Sequence, residues 1–233
     1  MRIAYIVLTC QKYETTRMVW QKETVFSSIP MDDVFYLGHV MRPEDRLFSW
    51  GAGDDYDSLP YKFADFFRQS NLDYDWYFLM DDDTYVYTDR LQNKVKTIQE
   101  GGLDPRQVHY MEGHILTHLV HTPWGIYHSG GAGTLLSAKV YQEVRQMFQG
   151  ITYEYRAPNV CADICLGVWT KYIPGIHIKH SDRYHTDMAQ QGKDKVEEAI
   201  TFHHLKTKED YLLHFGYRNT SPVKIEDIKE NSI

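Results

Sequence analysis

The sequence predicts an α/β protein with a mainly parallel central sheet flanked by helices, and three observations carry that prediction. Strand-like and helix-like segments alternate over the first hundred residues, the pattern of parallel strands joined by crossover helices. The strand-like runs are apolar and rich in β-branched or aromatic residues, as strands inside a covered sheet are. One of them, in residues 76–86 (WYFLMDDDTYV), drives five large apolar residues into three consecutive carboxylates. Ligands of such sheets bind beyond the carboxyl ends of the strands.

Residues 2–9 form an apolar run suited to a central strand. The stretch ETTRMVWQKETVFSS then offers Thr15 or Thr16 as an N-cap and Met18, Val19 and Val25 for one buried helix face. Residues 34–39 read as a second strand, and the polar, Gly-rich residues 41–57 as a loop. Residues 58–69 place Leu59, Phe63, Phe66 and Phe67 at helical spacing, with Pro60 in the first turn. Residues 76–80 make the third strand. Leu91, Val95 and Ile98 mark a helix closed by Gly101 and Gly102.

Beyond residue 102 the pattern is less regular. Residues 107–111 and 134–136 read as strands, 137–148 as a helix capped by Ser137, and 159–172 as another helix. Residues 179–198 are polar and read as a mobile loop, and the tail from Asn219 has little to bury.

The 233 residues suffice for one medium domain with a sizeable core. A net charge of -7 disfavours a general nucleic-acid binder, which needs a basic face to neutralise phosphates. The three cysteines, Cys10, Cys161 and Cys165, are too few for a disulfide framework and fit a reducing compartment. Cys161 and Cys165 read as small buried hydrophobes. No segment approaches the roughly 20 apolar residues that cross a bilayer. The amino end, MRIAYIVLTCQKYE, reads as a first strand and not as a signal peptide.

The chemistry-bearing groups begin with Asp81, Asp82 and Asp83. Two carboxylates about 6 Å apart repel by roughly 3 kcal/mol at an effective dielectric near 20, so a counter-charge belongs there. The D-x-D of Asp81 and Asp83 suits Mg²⁺ or Mn²⁺. An acidic turn without a metal is the plainer reading. In SGGAG (129–133) three glycines let the backbone pass close to a bulky ligand, or simply make a tight loop before the next strand. The spacing fits neither the phosphate loop nor the dinucleotide fingerprint. Asp163, alone on an otherwise apolar helix, is either a cap or ion-pair partner or a general base. His203 and His204 offer borderline ligands for Mn²⁺, against surface or satisfied-core roles. His114, His118, His121 and His128 are dispersed without metalloprotease spacing and read as structural or acceptor-contacting. No G-x-S-x-G elbow or nucleophilic cysteine motif is present.

Four pieces therefore stand in one order: DDDTYV, SGGAG, D-x-x-x-G (163–167) and F-H-H (202–204). That order resembles the inverting β1,3-glycosyltransferases of the Fringe and core-1 galactosyltransferase type. DDYDSLPYKF (54–63) and the early Arg-containing helix of ETTRMVW are similar to that family too, and the resemblance covers roughly residues 3–205. It implies a GT-A type nucleotide-diphospho-sugar transferase fold. Residues 1–218 would be one domain, about 1–100 the nucleotide-binding half and 101–218 the acceptor-side half, with a tail at 219–233.

The resemblance further implies Mn²⁺, with Mg²⁺ as substitute, held by Asp83, Asp81 and one of His203 and His204. Asp81 and Asp82 would contact the metal or a UDP-sugar, and Arg17 and Lys62 would lie near the nucleotide. Gly130, Gly131 and Ala132 would line the donor-sugar and acceptor pocket, and Trp50 or Trp124 would stack on sugar. Asp163 would be the base that activates an acceptor hydroxyl. Implied is transfer of galactose or N-acetylglucosamine to a glycan or glycoprotein acceptor, forming a β1,3 linkage.

Family members in animal cells usually carry an anchor, a stem and paired cysteines, which this sequence does not show. As given, it reads as soluble and cytoplasmic, or as belonging to the Golgi lumen if an anchor has been trimmed. Two competing readings are a retaining or nucleotidyl transferase on the same fold, and a carbohydrate-binding or chaperone-like protein without turnover.

Overall fold

The computed structural model describes residues 1–116, 125–150, 159, 161–187 and 193–220. In chain order the elements are β1 (Ile3–Leu8), α1 (Arg17–Glu23), β2 (Val34–Leu37), β3 (Leu47–Phe48), α2 (Leu59–Gln69), β4 (Trp76–Asp81), β5 (Tyr85–Val86) and α3 (Thr88–Glu100). There follow β6 (Tyr110–Gly113), β7 (Thr134–Ser137), α4 (Ala138–Gly150), α5 (Ala162–Thr170), β8 (His177–His180), α6 (Lys193–Glu198), β9 (Thr201–Phe202) and α7 (Lys208–Thr220).

Among the described residues, seven strands form one sheet in the order β3-β2-β1-β4-β7-β6-β8, and β5 pairs with β9 in a second, two-stranded sheet. β3, β2, β1 and β4 run parallel, as do β6 and β8, while β7 runs antiparallel to both of its neighbours. The sheet is thus mainly parallel, as the alternation predicts.

Strand period 2 divides the core into two layers. Tyr5 and Val7 of β1 with Trp76, Phe78 and Met80 of β4 face α1, α3 and α7. Ala4, Ile6 and Leu8 with Tyr77 and Leu79 face α2, α4 and α5. Burial on both sides explains why these strands have no polar face. Full burial of each such large side chain contributes roughly 1.5–3 kcal/mol.

α2 follows from its sequence: Phe63, Phe66 and Phe67 are buried and Pro60 sits in the first turn, where a missing N–H is no loss. α3 ends as expected, with Gly102 in the left-handed region at φ +95. Ser137 caps α4, its Oγ accepting from the Val140 amide at 3.4 Å.

Several expectations are corrected. Val19 is exposed, because the α1 face that buries Met18 and Gln21 turns it outward. Residues 41–57 contain β3, which lies parallel to β2 at the sheet edge, and two short 3-10 turns. The strand expected at 107–111 lies at Tyr110–Gly113. Residues 179–198 are not one loop. They begin in the edge strand β8, include the fully buried Tyr184 and end in α6. β8 has a single apolar residue, Ile178, and is mostly exposed, so it carries no apolar period. Cys165 is buried and its thiol donates to the Asn159 carbonyl at 3.1 Å, whereas Cys161 is only partly buried at the N-cap of α5. The tail beyond residue 220 lies outside the described residues. Among those described, no helix is long and apolar enough to cross a membrane.

Two histidines are locked into this core. His214 of α7 meets the Tyr87 hydroxyl at 2.9 Å and stacks on Phe202, and His128 meets the Lys179 carbonyl at 3.0 Å. Burial pushes both down to about 4. The folded state therefore keeps them neutral while the unfolded chain takes up protons below about 6.5, so each withdraws stability as pH falls through that window. Between pH 7 and 5 the loss is about 2 kcal/mol per histidine. Asp81 and Asp82, whose carboxyls burial pushes up, act in the opposite direction. The expected result is therefore a difference between proteins: denaturant titrations should show His214→Gln losing about 2 kcal/mol less than the wild type over that interval.

Candidate active site

The acidic triplet sits where the sheet ends. β1 and β4 run side by side with Leu8 opposite Asp81, and the Asp82 amide donates to the Leu8 carbonyl at 2.9 Å. Asp81 is thus the last strand residue, and Asp82 and Asp83 form the turn beyond it.

The three carboxylates diverge in role. Asp82 is buried, accepting from Thr9 Oγ1 and from the Arg17 guanidinium, both at 2.8 Å. Burial raises its carboxyl to about 6 even though Arg17 pulls it down. Both Asp82 oxygens are thus occupied, and its observed partners are Arg17 and Thr9. Arg17 in turn lies 3.4 Å from Asp83 Oδ2 and stacks 3.8 Å over the Tyr13 ring.

Asp81 and the other oxygen of Asp83 face His203. His203 Nε2 lies 3.1 Å from Asp83 Oδ1 and 4.0 Å from Asp81 Oδ2. Burial, and then the charge of Asp83, raises the Asp81 carboxyl. Burial acts on Asp83 in the same sense, but the hydrogen bond and charge of His203 outweigh it and hold that carboxyl below its usual range.

His203 arrives from 120 residues downstream because β9 pairs with β5, Phe202 opposite Tyr85, immediately past the triplet. Its Nδ1 lies 3.1 Å from the Thr186 carbonyl, a partner that keeps the proton on Nδ1 and turns Nε2 toward the carboxylates. His204 stacks on it with ring centroids 3.8 Å apart, itself in the left-handed region at φ +68 and half-exposed. Ligand atoms of Asp83, His203 and His204 all lie within 4.8 Å of one another.

The SGGAG turn ties this group to Asp163. Gly131 passes so close to the His203 imidazole that a Cβ there would overlap the ring, which is why the position has no side chain. The neighbouring Gly130 amide donates to Asp163 Oδ2 at 3.3 Å, while the Ile164 amide donates to Oδ1 at 2.8 Å. Asp163 stands in the first turn of α5, where the helix N-terminus favours its anion. Burial nevertheless raises it. Ala132 is fully buried, and its carbonyl accepts from Thr201 Oγ1 at 2.5 Å.

The other expected residues are placed as follows. Lys62 is buried, its ammonium donating to the Thr9 carbonyl at 2.7 Å and to Asp54 at 2.8 Å. Trp50 stacks on Phe48 and, with Phe35 and Phe66, lines an apolar cavity of about 90 Å³. His118, His121 and Trp124 lie outside the described residues. His114, His180 and Asp182 also come within 4.8 Å of one another. There, however, His180 Nδ1 accepts the Ile115 amide, which leaves the proton on Nε2 for Asp182 at 2.7 Å. That is a closed hydrogen-bonded pair and not an open ligand set.

Sequence reasoning missed Thr9, Thr186, Gln21 and Tyr211. Only Gln21 left a signal, four residues after Arg17 on one helix face.

A family model described as Fringe-like matches residues 58–218. Among solved structures, the chain is similar to a glycosyltransferase involved in the glycosylation of the major capsid of PBCV-1, at 16% identity and a TM-score of 0.50, covering 93% of this chain and 100% of that one. It is also similar to the galactosyltransferase LgtC in complex with donor and acceptor sugar analogs, at 12% identity and a TM-score of 0.50, covering 96% of this chain and 98% of that one. At such identities the likeness concerns the fold. No curated protein matches the sequence.

Proposed function

Because the chain belongs to the Fringe-like family and is a glycosyltransferase of GT-A fold, we propose that it moves a sugar from a UDP-sugar to a hydroxyl of a glycan or glycoprotein acceptor with inversion. Galactose or N-acetylglucosamine is the donor sugar and a β1,3 bond the product. Residues 1–218 act as one catalytic domain. The observation that carries the reading is a convergence: Asp81 and Asp83 at the end of β4 meet His203 from beyond β9, and one peptide turn links that group to Asp163.

The residues fit a divalent ion. Two carboxylates and an imidazole whose tautomer is fixed from behind are the donors Mn²⁺ takes, with Mg²⁺ as the harder substitute. Asp81, Asp83 and His203 would hold it, with His204 alongside. When bound, such an ion neutralises the diphosphate as UDP departs.

Asp82 is assigned to holding Arg17 beside the turn. Asp163 takes the acceptor proton while the acceptor oxygen bonds to the anomeric carbon. The bond from that carbon to the diphosphate breaks on the opposite face, its electron pair leaving with UDP. Two backbone amides aim the Asp163 carboxylate. Its burial brings the basicity closer to working pH, as a general base requires.

A UDP-release screen across UDP-sugars tests the reading. Release with one donor in Mn²⁺, abolished by chelator and yielding a product of inverted configuration, is the expected result. Chelator-insensitive transfer, or retention, overturns it.

A further inference from the structure

We propose that Gln21 of α1 and Tyr211 of α7 are positioning residues that set the cation affinity of the acidic turn by holding its backbone. The inference rests on the cation reading above.

Four consecutive carbonyls, residues 81–84, all carry a donor. Gln21 Nε2 reaches the Asp81 carbonyl at 3.4 Å and the Thr84 carbonyl at 3.1 Å. The Tyr211 hydroxyl donates to the Asp82 carbonyl, and the Leu205 amide to the Asp83 carbonyl at 2.9 Å. Gln21 and Tyr211 are fully buried, and the Tyr211 ring packs 5.8 Å from that of Trp20, the residue beside Gln21.

This arrangement does two things. The turn concentrates like charges that push its residues apart, and neutral donors on the carbonyls resist that spreading without adding a competing cation. The same bonds occupy the main-chain oxygens, so the oxygens presented to an ion are those of the carboxylates. Neither residue touches a carboxylate. Their effect passes through the main chain, like that of the outer partners of a metal site, whose removal typically costs about 10–100-fold in affinity.

Two variants test this without removing bulk: Tyr211→Phe keeps the ring and deletes the hydroxyl, and Gln21→Met keeps the volume and deletes the donor. Mn²⁺ affinity, read by electron paramagnetic resonance of the free ion, should weaken by about 10-fold or more in each. Donor KM at fixed low Mn²⁺ should rise, and kcat should return to near the wild-type value once Mn²⁺ saturates. Melting temperature should also fall by a few degrees, because buried carbonyls lose their donors. A merely structural role would shift melting and leave the ion affinity alone.

Unchanged Mn²⁺ affinity in both variants, with the wild type binding the ion, overturns this inference and leaves the cation reading standing. So does a kcat deficit that saturating Mn²⁺ does not rescue. A wild-type protein that binds no Mn²⁺ takes both down.

Discussion

Replacing Asp163 with asparagine is expected to lower kcat by about 10²–10⁴-fold, the usual contribution of a positioned general base, while Mn²⁺-dependent UDP binding stays at the wild-type level. Asparagine keeps the shape, and its oxygen still accepts from one of the two amides that hold the native carboxylate, Gly130 or Ile164. What disappears is the capacity to accept a proton. The wild-type kcat/KM should fall as pH drops through the Asp163 pKa, which burial raises, because only the ionised carboxylate is a base. The variant's residual activity should lack that acidic limb. Steady-state kinetics across pH with UDP binding by calorimetry checks both parts, and transfer by the variant at the wild-type rate removes Asp163 from the role.

Asp83→Asn is expected to act earlier in the cycle. Asp83 stands between His203 at 3.1 Å and Arg17 at 3.4 Å, and it is the carboxylate that its neighbours keep most firmly ionised. Neutralising it removes the anionic ligand proposed for the ion and the partner that orients His203 Nε2 at once. Mn²⁺-dependent UDP binding should be lost, and transfer should fall by about 100-fold or more. The two variants thus separate: one binds and does not turn over, the other does not bind. Calorimetry that finds UDP binding unchanged in Asp83→Asn, with Mn²⁺ present, would remove Asp83 from the ion's shell.

Much of this was legible in the amino-acid order, for identifiable reasons. β1 and β4 are covered on both faces, so their apolar runs stand out, and α2 shows its Phe63, Phe66 and Phe67 stripe. The acidic triplet was legible because it ends such a run. β3 and β5 were not, since a two-residue strand has no period and exists only through its partner. β8 was hidden because three of its four residues are polar.

SGGAG was recognisable as a place where backbone comes close to something. That Gly131 lies against the chain's own His203 depends on a fold that brings residues 131 and 203 together. Tyr211 leaves no pattern pointing to its target, and Gln21 none beyond sharing a helix face with Arg17, because a main-chain carbonyl looks the same at every residue.

The bond from Tyr211 to Asp82 spans 129 residues, so the acidic turn lacks one of its anchors until residue 211 has been synthesised. Contacts of such separation form late, after the entropy of closing a long loop has been overcome. On the ribosome, the amino-terminal strands can assemble while the catalytic centre is still unfinished. Competence therefore waits for residue 211, and a polypeptide cut off before it carries the acids without one of their anchors.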